Sequence, residues 1–392
     1  MNLIVKLIAG IVAGMLIGQF APEFLVQLVF TLQNIIGQLI KFTIPLIILF
    51  YIASGIASLP QGSGSLLGKT VGLAYGSTVI AGTLAYLVAS AVLPGLTEGN
   101  SMVAAEEGAK LTGFLNITIP PLFDVMTALA LAFIFGIGIS AINATQLRNV
   151  LNESRDVIEL LLSKVIIPAL PFYIAGVFAE MTHAGTVFAT LKTFGVVLVL
   201  ALIMHWLWIT VLYVSTGLAL GKSPITLLKN MLPAYFTALG TMSSAATIPV
   251  SLKATKSNDV SDGVANFTVP LCASIHLSGS TITIVTCATA VMLLSPELAL
   301  PSFGAVIGFI LVLGVTMIAA PGAPGGAVMS ALGLLASMLG FTDAALALMI
   351  ALYLAQDSFG TACNVTGDGA IALWVDKFAD ESLTSQEASK TN

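Results

Sequence analysis

Residues 345–374 read ALALMIALYLAQDSFGTACNVTGDGAIALW, an apolar stretch that carries Asp357, Thr361, Asn364 and Asp368. In a helix these four positions fall within about 60° of one another, so two carboxylates, an amide and a hydroxyl line one stripe. Acidic groups at membrane depth are costly and usually mark the path of an ion or a substrate. A stripe of polar packing residues is the alternative, but four stacked polar groups favour a cation site. The stretch therefore predicts a protein that moves something across a membrane.

The composition agrees with a membrane protein. Hydrophobic residues make up 57% of the 392 residues, charged residues only 8%, and the mean hydropathy is +1.02. These values exclude a soluble globular domain, and the net charge of −5 gives no basic patch for nucleic acid. Three cysteines in apolar segments argue against a disulfide framework. The N-terminus lacks a clear small-x-small cleavage site, so we expect a retained first helix.

The apolar runs predict the layout of the chain. Runs long enough to span a bilayer occur near 3–20, 28–58, 69–94, 118–143, 156–182 and 190–220. Two later segments, 226–257 and 301–341, are interrupted by TMSSAATIP and APGAPGG, and each is followed by a span with its own polar break, 262–296 and 343–376. Paired interrupted segments are typical of inverted repeats with a binding site between them, although two kinked ordinary spans would give the same pattern. We predict an all-α polytopic membrane protein with eight transmembrane helices and two re-entrant helical hairpins.

The distribution of positive charge predicts the orientation. Lysine and arginine favour cytoplasmic loops, and the loop at 95–117 carries three glutamates against one lysine. We therefore expect a multi-pass protein of the inner (plasma) membrane with both termini in the cytoplasm. The first hairpin then enters from the cytoplasm and the second, which has no lysine or arginine, enters from outside. The residues that fix this orientation are Arg148, Arg155, Lys164, Lys222, Lys229, Lys253, Lys256, Lys377 and Lys390.

Four motifs, in this order and in these contexts, carry a resemblance to a known family. They are MSSAATIPV at 242–250, VPLCASIHLSGST at 269–281, APGAPGGAV at 320–328 and DSFGTACNVTGD at 357–368. They are similar to the first hairpin tip, the seventh helix, the second hairpin tip and the eighth helix of the glutamate transporter family (dicarboxylate/amino acid:cation symporters). The likeness covers most of the chain and points to the neutral amino acid branch.

The resemblance implies an architecture and a mode of action. The protein would be a homotrimer with no enzymatic activity, in which the transport domain of each protomer slides like an elevator and the second hairpin gates from outside. Residues 1–68 (helices 1–2) and 96–189 (helices 4–5) would form a fixed scaffold. Residues 69–95 (helix 3) and 190–376 would form the transport domain, and 377–392 a cytoplasmic tail.

The resemblance also assigns the substrate site. Asp357 would pair with the α-ammonium group of an amino acid, and Asn364 would contact its α-carboxylate. Half-helix N-termini at the hairpin tips suit the same carboxylate. The implied substrate-binding residues are Ser243, Ser244, Ser280, Gly322, Ala323, Pro324, Gly325, Asp357, Gly360, Thr361 and Asn364.

Sodium is the coupling ion that the resemblance implies, with no other cofactor. Asp368 would supply the carboxylate of the innermost sodium, and backbone carbonyls would complete that site and a second one. Such hard oxygen ligands suit a hard cation. The implied sodium ligands are Cys272, Ser274, His276, Met317, Ala320, Asn364 and Asp368.

The seventh helix departs from the family pattern. Where the family reads Asn-Met-Asp, residues 276–278 are His-Leu-Ser, so the side chains of the third sodium site are absent. We therefore expect fewer than three sodium ions per substrate. His276 is either a hydrogen-bonded structural residue or a proton carrier, since imidazole titrates near neutrality. The remaining wall of that site would be Tyr75, Ser77 and Thr78.

Missing arginines predict the substrate. Acidic-substrate members of the family carry an arginine at the position of Gly360 or of Met242, and the two arginines of this chain, Arg148 and Arg155, fall in the predicted loop between the fourth and fifth spans. A second substrate carboxylate would be buried without a countercharge. We predict a neutral L-amino acid of the alanine, serine or threonine class, with space beside Gly360 for larger side chains.

Other functions remain as alternatives. A symporter of dicarboxylates or acidic amino acids, proton-coupled uptake through His276 and an ion channel share the same membrane architecture. An intramembrane serine hydrolase would use the neighbouring His276, Ser278 and Gly279. That reading lacks a Gly-x-Ser-x-Gly element and leaves both aspartates unexplained.

Overall fold

A computed structural model describes residues 3–57, 64–97, 113–115, 117–185, 187–295, 297–318, 320 and 324–390. Most of the acidic loop, 98–112, and Gly322 and Ala323 of the second predicted hairpin lie outside these residues. The described chain is helical, and a π-helical turn, Leu162–Ile166, joins two of the helices. The helices are α1 Leu3–Phe20, α2 Glu23–Ala57, α3 Gly64–Thr97, α4 Val125–Ala141, α5 Thr145–Leu161, α6 Ile167–His183, α7 Val187–Leu220, α8 Pro224–Thr241, α9 Ser244–Lys256, α10 Asp262–Ile275, α11 Ser278–Leu294, α12 Phe303–Met317, α13 Gly326–Leu339, α14 Asp343–Leu354 and α15 Asp357–Lys390.

Several of these helices have the length and composition of membrane spans. Within the described residues five helical runs qualify: Glu23–Ala57, Leu66–Leu96, Thr145–His183, Thr190–Leu220 and Asp262–Leu294. A sixth arises if α14 and α15, bent by 60° at residues 355–356, count as one span. The prediction of an all-helical protein with several apolar membrane-length helices is confirmed. The count of eight spans and two re-entrant hairpins stays a prediction.

The predicted loop between the fourth and fifth spans is helical, which corrects the sequence reading. Thr145–His183 forms one continuous helical run through the π-helical turn, and Arg148 and Arg155 lie on its first part. This part is amphipathic: Leu151 and Ile158, two turns apart on one face, are buried. A search for apolar runs misses such a helix because half of its surface is charged. In the same way α15 continues to Lys390, so most of the predicted tail is helical.

One group of helices packs around α2 and α6. α1 lies along α6, and α2 contacts α4, α5 and α6. Glycines at positions 10, 14 and 18 allow α1 to approach the α6 backbone closely. A Cβ atom on Gly14 would lie 2.3 Å from the Ala175 carbonyl oxygen. Small residues at every fourth position are what close helix contacts in a membrane require.

A second group packs around α11. This helix contacts α3, α7, α14 and α15, and all its residues except Leu293 are buried. An all-round buried helix has no polar face to fix its rotation, so close contacts do. A Cβ atom on Gly279 would lie 2.3 Å from the Gly360 carbonyl oxygen. This crossing sets the polar stripe of α15 against the N-terminus of α11.

The two interrupted segments each form a helix pair. α8 packs on α9, and α12 packs on α13. The first pair turns at Met242, which has a left-handed backbone (φ 54°), and Ser243, whose side chain accepts a hydrogen bond from the Ala246 N–H. In the second pair Gly325, with φ 80°, precedes α13. The first turn therefore lies where the sequence predicted it, and the second break falls between α12 and α13, with residues 321–323 outside the described residues.

Candidate functional site

A cavity of about 40 Å³ lies where the helix pairs approach the two broken helices, α10–α11 and α14–α15. It brings together five predicted substrate residues: Ser244, Ser280, Asp357, Thr361 and Asn364. Two residues predicted beside the second sodium, Ser274 and Ala320, also line it. The lining is completed by Met242, Ala273, Leu277, Ala327 and Tyr353.

Among the predicted substrate residues at the two tips, Ser243, Pro324 and Gly325 are not part of the cavity lining. Ser243 does not line the cavity, and its side chain caps α9 by accepting the Ala246 N–H at 3.2 Å. Pro324 lines a separate small cavity with Glu159 and Met329. Gly325 reaches the site through its backbone. The hairpin tips therefore contribute mainly backbone groups and caps, as broken helices do in secondary transporters.

Asp357 is the carboxylate of the cavity. It is the first residue of α15 and 4% exposed, so the positive end of the helix dipole stabilises its charge. Its Oδ2 accepts the Gly325 N–H at 2.7 Å. The tip of the second helix pair thus closes directly on this carboxylate.

Asn364 caps the broken helix. Its Oδ1 accepts the N–H groups of Gly279 at 2.7 Å and Ser280 at 3.2 Å, and its Nδ2 donates to Ser280 Oγ at 2.9 Å. The first N–H groups of a helix have no partner within the helix, and the interruption at residues 276–277 leaves those of α11 free for such a cap. Asn364 therefore holds the N-terminus of α11 at the edge of the cavity.

Asp368 lies in a sealed polar cluster on the same helix. Its Oδ1 is 2.9 Å from His276 Nδ1, and His276 Nε2 is 2.8 Å from Ser77 Oγ on α3. His276 and Asp368 are 0% and 1% exposed. The backbone N–H of His276 donates to the backbone carbonyl of Cys272 at 2.9 Å. The Cys272 carbonyl, a predicted sodium ligand, therefore accepts a hydrogen bond within the protein. A buried carboxylate needs a compensating partner, and here the imidazole supplies one.

The remaining predicted sodium residue, Met317, is buried at the C-terminal end of α12. Its carbonyl accepts the Ala320 N–H at 3.0 Å, and its sulfur accepts the Thr281 hydroxyl at 3.6 Å. These contacts bring the end of α12 to the first turn of α11. Ser274 and Ala320 line the cavity whereas Met317 is not among its lining residues, and the second sodium site stays a prediction.

Gly360 does not open space for a substrate side chain, contrary to the sequence interpretation. A Cβ atom there would lie 3.1 Å from Thr283 Oγ1 and 3.4 Å from the Gly279 carbonyl oxygen. Gly360 faces α11 and is absent from the cavity lining. The other position examined for an arginine, Met242, does line the cavity and is 4% exposed.

Tyr353 is the site residue that sequence reasoning missed. It lies on α14, four residues before Asp357 and across the bend at residues 355–356, and it is fully buried in the cavity wall. Helical periodicity continued backward from Asp357 points to this position, but the bend decides where its side chain lies.

Two helix pairs whose tips meet two broken helices around a buried carboxylate form the architecture of a secondary transporter. The comparisons with known proteins agree. The chain belongs to the sodium:dicarboxylate symporter family, whose model matches residues 3–378. That family consists of transporters.

Individual relatives are more distant. The chain is 28% identical to excitatory amino acid transporter 1 of Homo sapiens over 222 residues, which is 56% of this chain and 40% of that protein. It is 30% identical to human excitatory amino acid transporter 5 over 203 residues, 51% of this chain and 35% of the relative. Identity to human neutral amino acid transporter B(0) is 26% over 210 residues, 53% of this chain and 38% of the relative. The matches thus span two fifths or less of these relatives.

Proposed function

We propose that this protein is a secondary active symporter that couples sodium entry to the uptake of a small neutral L-amino acid of the alanine, serine or threonine class. The observation that carries the proposal is the charge of the cavity. Asp357 supplies a negative charge, whereas no lysine or arginine is among the described residues that line it. The relatives include transporters of acidic and of neutral amino acids, so the substrate class is argued from the residues of the site.

The charge balance favours a zwitterion with an uncharged side chain. Asp357 is the countercharge for the α-ammonium group. The α-carboxylate finds backbone dipoles at the first helix pair, where Ser244 begins α9. A second carboxylate on the substrate would lie in the same pocket with no cation beside it. Leaving a buried charge unpaired costs roughly 3–5 kcal/mol, so acidic amino acids and dicarboxylates should bind poorly.

Substrate entry requires the lining to move. The cavity volume of about 40 Å³ is well below the roughly 300–1,000 Å³ of pockets that bind small molecules. The Gly325–Asp357 hydrogen bond is the contact that seals the carboxylate. Opening of the second helix pair would break this bond and expose Asp357, which supports the role of that pair as the gate.

The packing of the helices supports an elevator mechanism. We propose that the protein works as a homotrimer in the plasma membrane, with both termini in the cytoplasm. The helices assigned to the scaffold pack around α2 and α6, and most of those assigned to the transport domain pack around α11 and α15. Between the groups, Gly333 of α13 lies against Val125 of α4 and Ile44 of α2. The Lys41–Asp343 ion pair also joins them. Sliding of one group past the other would break these contacts.

Sodium coupling is proposed to involve Asp368 and the residues around Ser274 and Ala320. The contact between His276 and Asp368 favours fewer than three sodium ions, since the imidazole already compensates part of the carboxylate charge. The same contact is the observation that would favour proton coupling instead. Sodium coupling and proton coupling are distinguished by which ion gradient drives uptake.

The test is uptake by the purified full chain in proteoliposomes. Sodium or proton gradients are imposed while labelled alanine, serine, threonine, aspartate, glutamate and succinate are offered one at a time. We expect saturable, sodium-driven uptake of neutral amino acids that also exchanges label. Preferred uptake of aspartate or succinate would overturn the substrate class, and uptake driven by protons alone would overturn sodium coupling. Ion flux far above substrate turnover, without saturation, would indicate a channel.

A further inference from the structure

The Tyr353 hydroxyl is a polar group in the cavity wall, beside Asp357 and Ser280. The side chain is 0% exposed and stands in the cavity wall with Asp357, Ser280 and Thr361. Its hydroxyl approaches the Ser280 and Asp357 side chains but makes no hydrogen bond of standard geometry with the described residues. A buried hydroxyl without a well-formed hydrogen bond is unfavourable, so it is available to a polar group that enters the cavity.

The neighbouring groups are already occupied or charged. Asn364 is committed to the N-terminus of α11 and to Ser280 Oγ. Asp357 carries the charge that the substrate ammonium requires. The Tyr353 hydroxyl is neutral and can both donate and accept a hydrogen bond. Its chemical complement is another neutral group that does both, which on an amino acid is a side-chain hydroxyl.

We propose that Tyr353 is a specificity-determining residue that hydrogen-bonds the side-chain hydroxyl of the substrate, so that the site selects serine and threonine over alanine. This inference rests on the proposed function, because it requires a neutral amino acid at Asp357. An alanine side chain in the same place would exclude water and leave the Tyr353 hydroxyl unpaired. Sites built to bind a substrate hydroxyl discriminate against analogues that lack it for this reason.

Tyr353→Phe tests the proposal because it removes one oxygen atom and keeps the ring. The measurement is Vmax/KM for sodium-driven uptake of serine, threonine and alanine by the full chain in proteoliposomes. The wild-type protein should favour serine over alanine. In the variant the serine-to-alanine ratio should fall about tenfold, since one net hydrogen bond is worth about 1.4 kcal/mol. Folding of the variant is checked separately by its melting temperature in detergent, which should match that of the wild-type protein.

Tyr51→Phe is the matched control. Tyr51 is also a buried tyrosine whose hydroxyl has no partner among the described residues, but it lies on α2 and does not line the cavity. Its variant should keep the wild-type ratio. An equal loss of serine and alanine uptake in Tyr353→Phe would place the hydroxyl on Asp357 or the ammonium group and overturn the inference, as would an unchanged ratio. Wild-type protein that takes up none of the three amino acids would instead overturn the proposed function.

Discussion

Asp357 and Asp368 lie on one face of the same helix, yet their surroundings differ in kind. Asp357 faces a cavity, and a backbone N–H from the tip of the second helix pair holds it. Asp368 is enclosed by the packed core, where His276 contacts it and Ser77 contacts His276. One carboxylate is held by a backbone group at the tip of a helix pair, and the other by side chains of neighbouring core helices. The same residue type thus faces a cavity at one end of the stripe and the packed core at the other.

Replacing the cavity carboxylate should have the largest effect. Asp357→Asn keeps the shape and can still accept the Gly325 N–H, but removes the countercharge for the substrate ammonium. Losing one member of a buried charge pair costs roughly 3–5 kcal/mol, so substrate affinity should fall by more than about a hundredfold. Uptake and equilibrium binding of a labelled neutral amino acid measure this loss.

The matched control is Asp259→Asn. The Asp259 side chain is 86% exposed and pairs with Lys222 at 3.1 Å, and asparagine tolerates its left-handed backbone (φ 62°). Affinity should be unchanged there. Wild-type affinity in Asp357→Asn would show that this carboxylate is not the ammonium partner.

Asp368→Asn should change ion dependence instead. The substitution removes the negative charge from a cluster that is otherwise made of dipoles and one imidazole, so the attraction for a dehydrated cation is largely lost. We expect sodium-driven uptake to be abolished, and the measurement is initial uptake as a function of sodium concentration. Retained sodium dependence would contradict the assignment of Asp368. If uptake by the wild-type protein is driven by protons and is lost in His276→Asn, the cluster of His276 and Asp368 serves proton coupling instead.

The helix crossing that positions both carboxylates can be tested through stability. Gly279→Ala would place a Cβ atom 2.3 Å from the Gly360 carbonyl oxygen. Overpacking of this kind costs about 1–3 kcal/mol, so the variant should unfold at a lower temperature in detergent. Gly308→Ala on α12 meets no atom within 4 Å and should be neutral or slightly stabilising. Equal melting temperatures of the two variants would show that the crossing is looser than described.

The sequence predicted the parts of the site that depend on local pattern. The first predicted interruption, Thr241–Pro249, contains the turn at Met242 and Ser243, although Ser244–Pro249 already belongs to α9 and Pro249 lies inside that helix. The second falls in the break between α12 and α13. The stripe from Asp357 to Asp368 follows from helical periodicity alone. The helical segment at Arg148 and Arg155 was missed because its polar face hides it from a search for apolar runs.

The parts that failed depend on tertiary contacts. The direction in which Gly360 faces is set by the rotation of α15 against α11, which no local pattern encodes. The partner of Asp368 is similar. His276 was recognised as unusual, and Ser77 as near it, but their mutual contact requires α3, α10 and α15 to meet. Tyr353 precedes the bend at residues 355–356, so its place beside Asp357 also depends on how α14 meets α15.

Met242 and Gly360 provide the smallest and most specific test, since both stand where an arginine would serve an acidic substrate. Met242→Arg would place a guanidinium in the cavity wall, where it can pair bidentately with a side-chain carboxylate. Relative to alanine, aspartate uptake should rise about tenfold, the equivalent of about 1.4 kcal/mol, and competition between the two labelled amino acids measures it.

Gly360→Arg is the counterpart, in which the arginine is placed on the face of α15 that packs against α11 and not on the cavity wall. Its Cβ would press on Thr283 and on the Gly279 carbonyl, so the variant should lose stability without gaining aspartate uptake. The opposite pattern, with a gain at Gly360 and none at Met242, would mean that α15 turns relative to α11 during transport and presents Gly360 to the substrate. The pair of variants therefore tests whether the same residues line the cavity at Asp357 when substrate is bound.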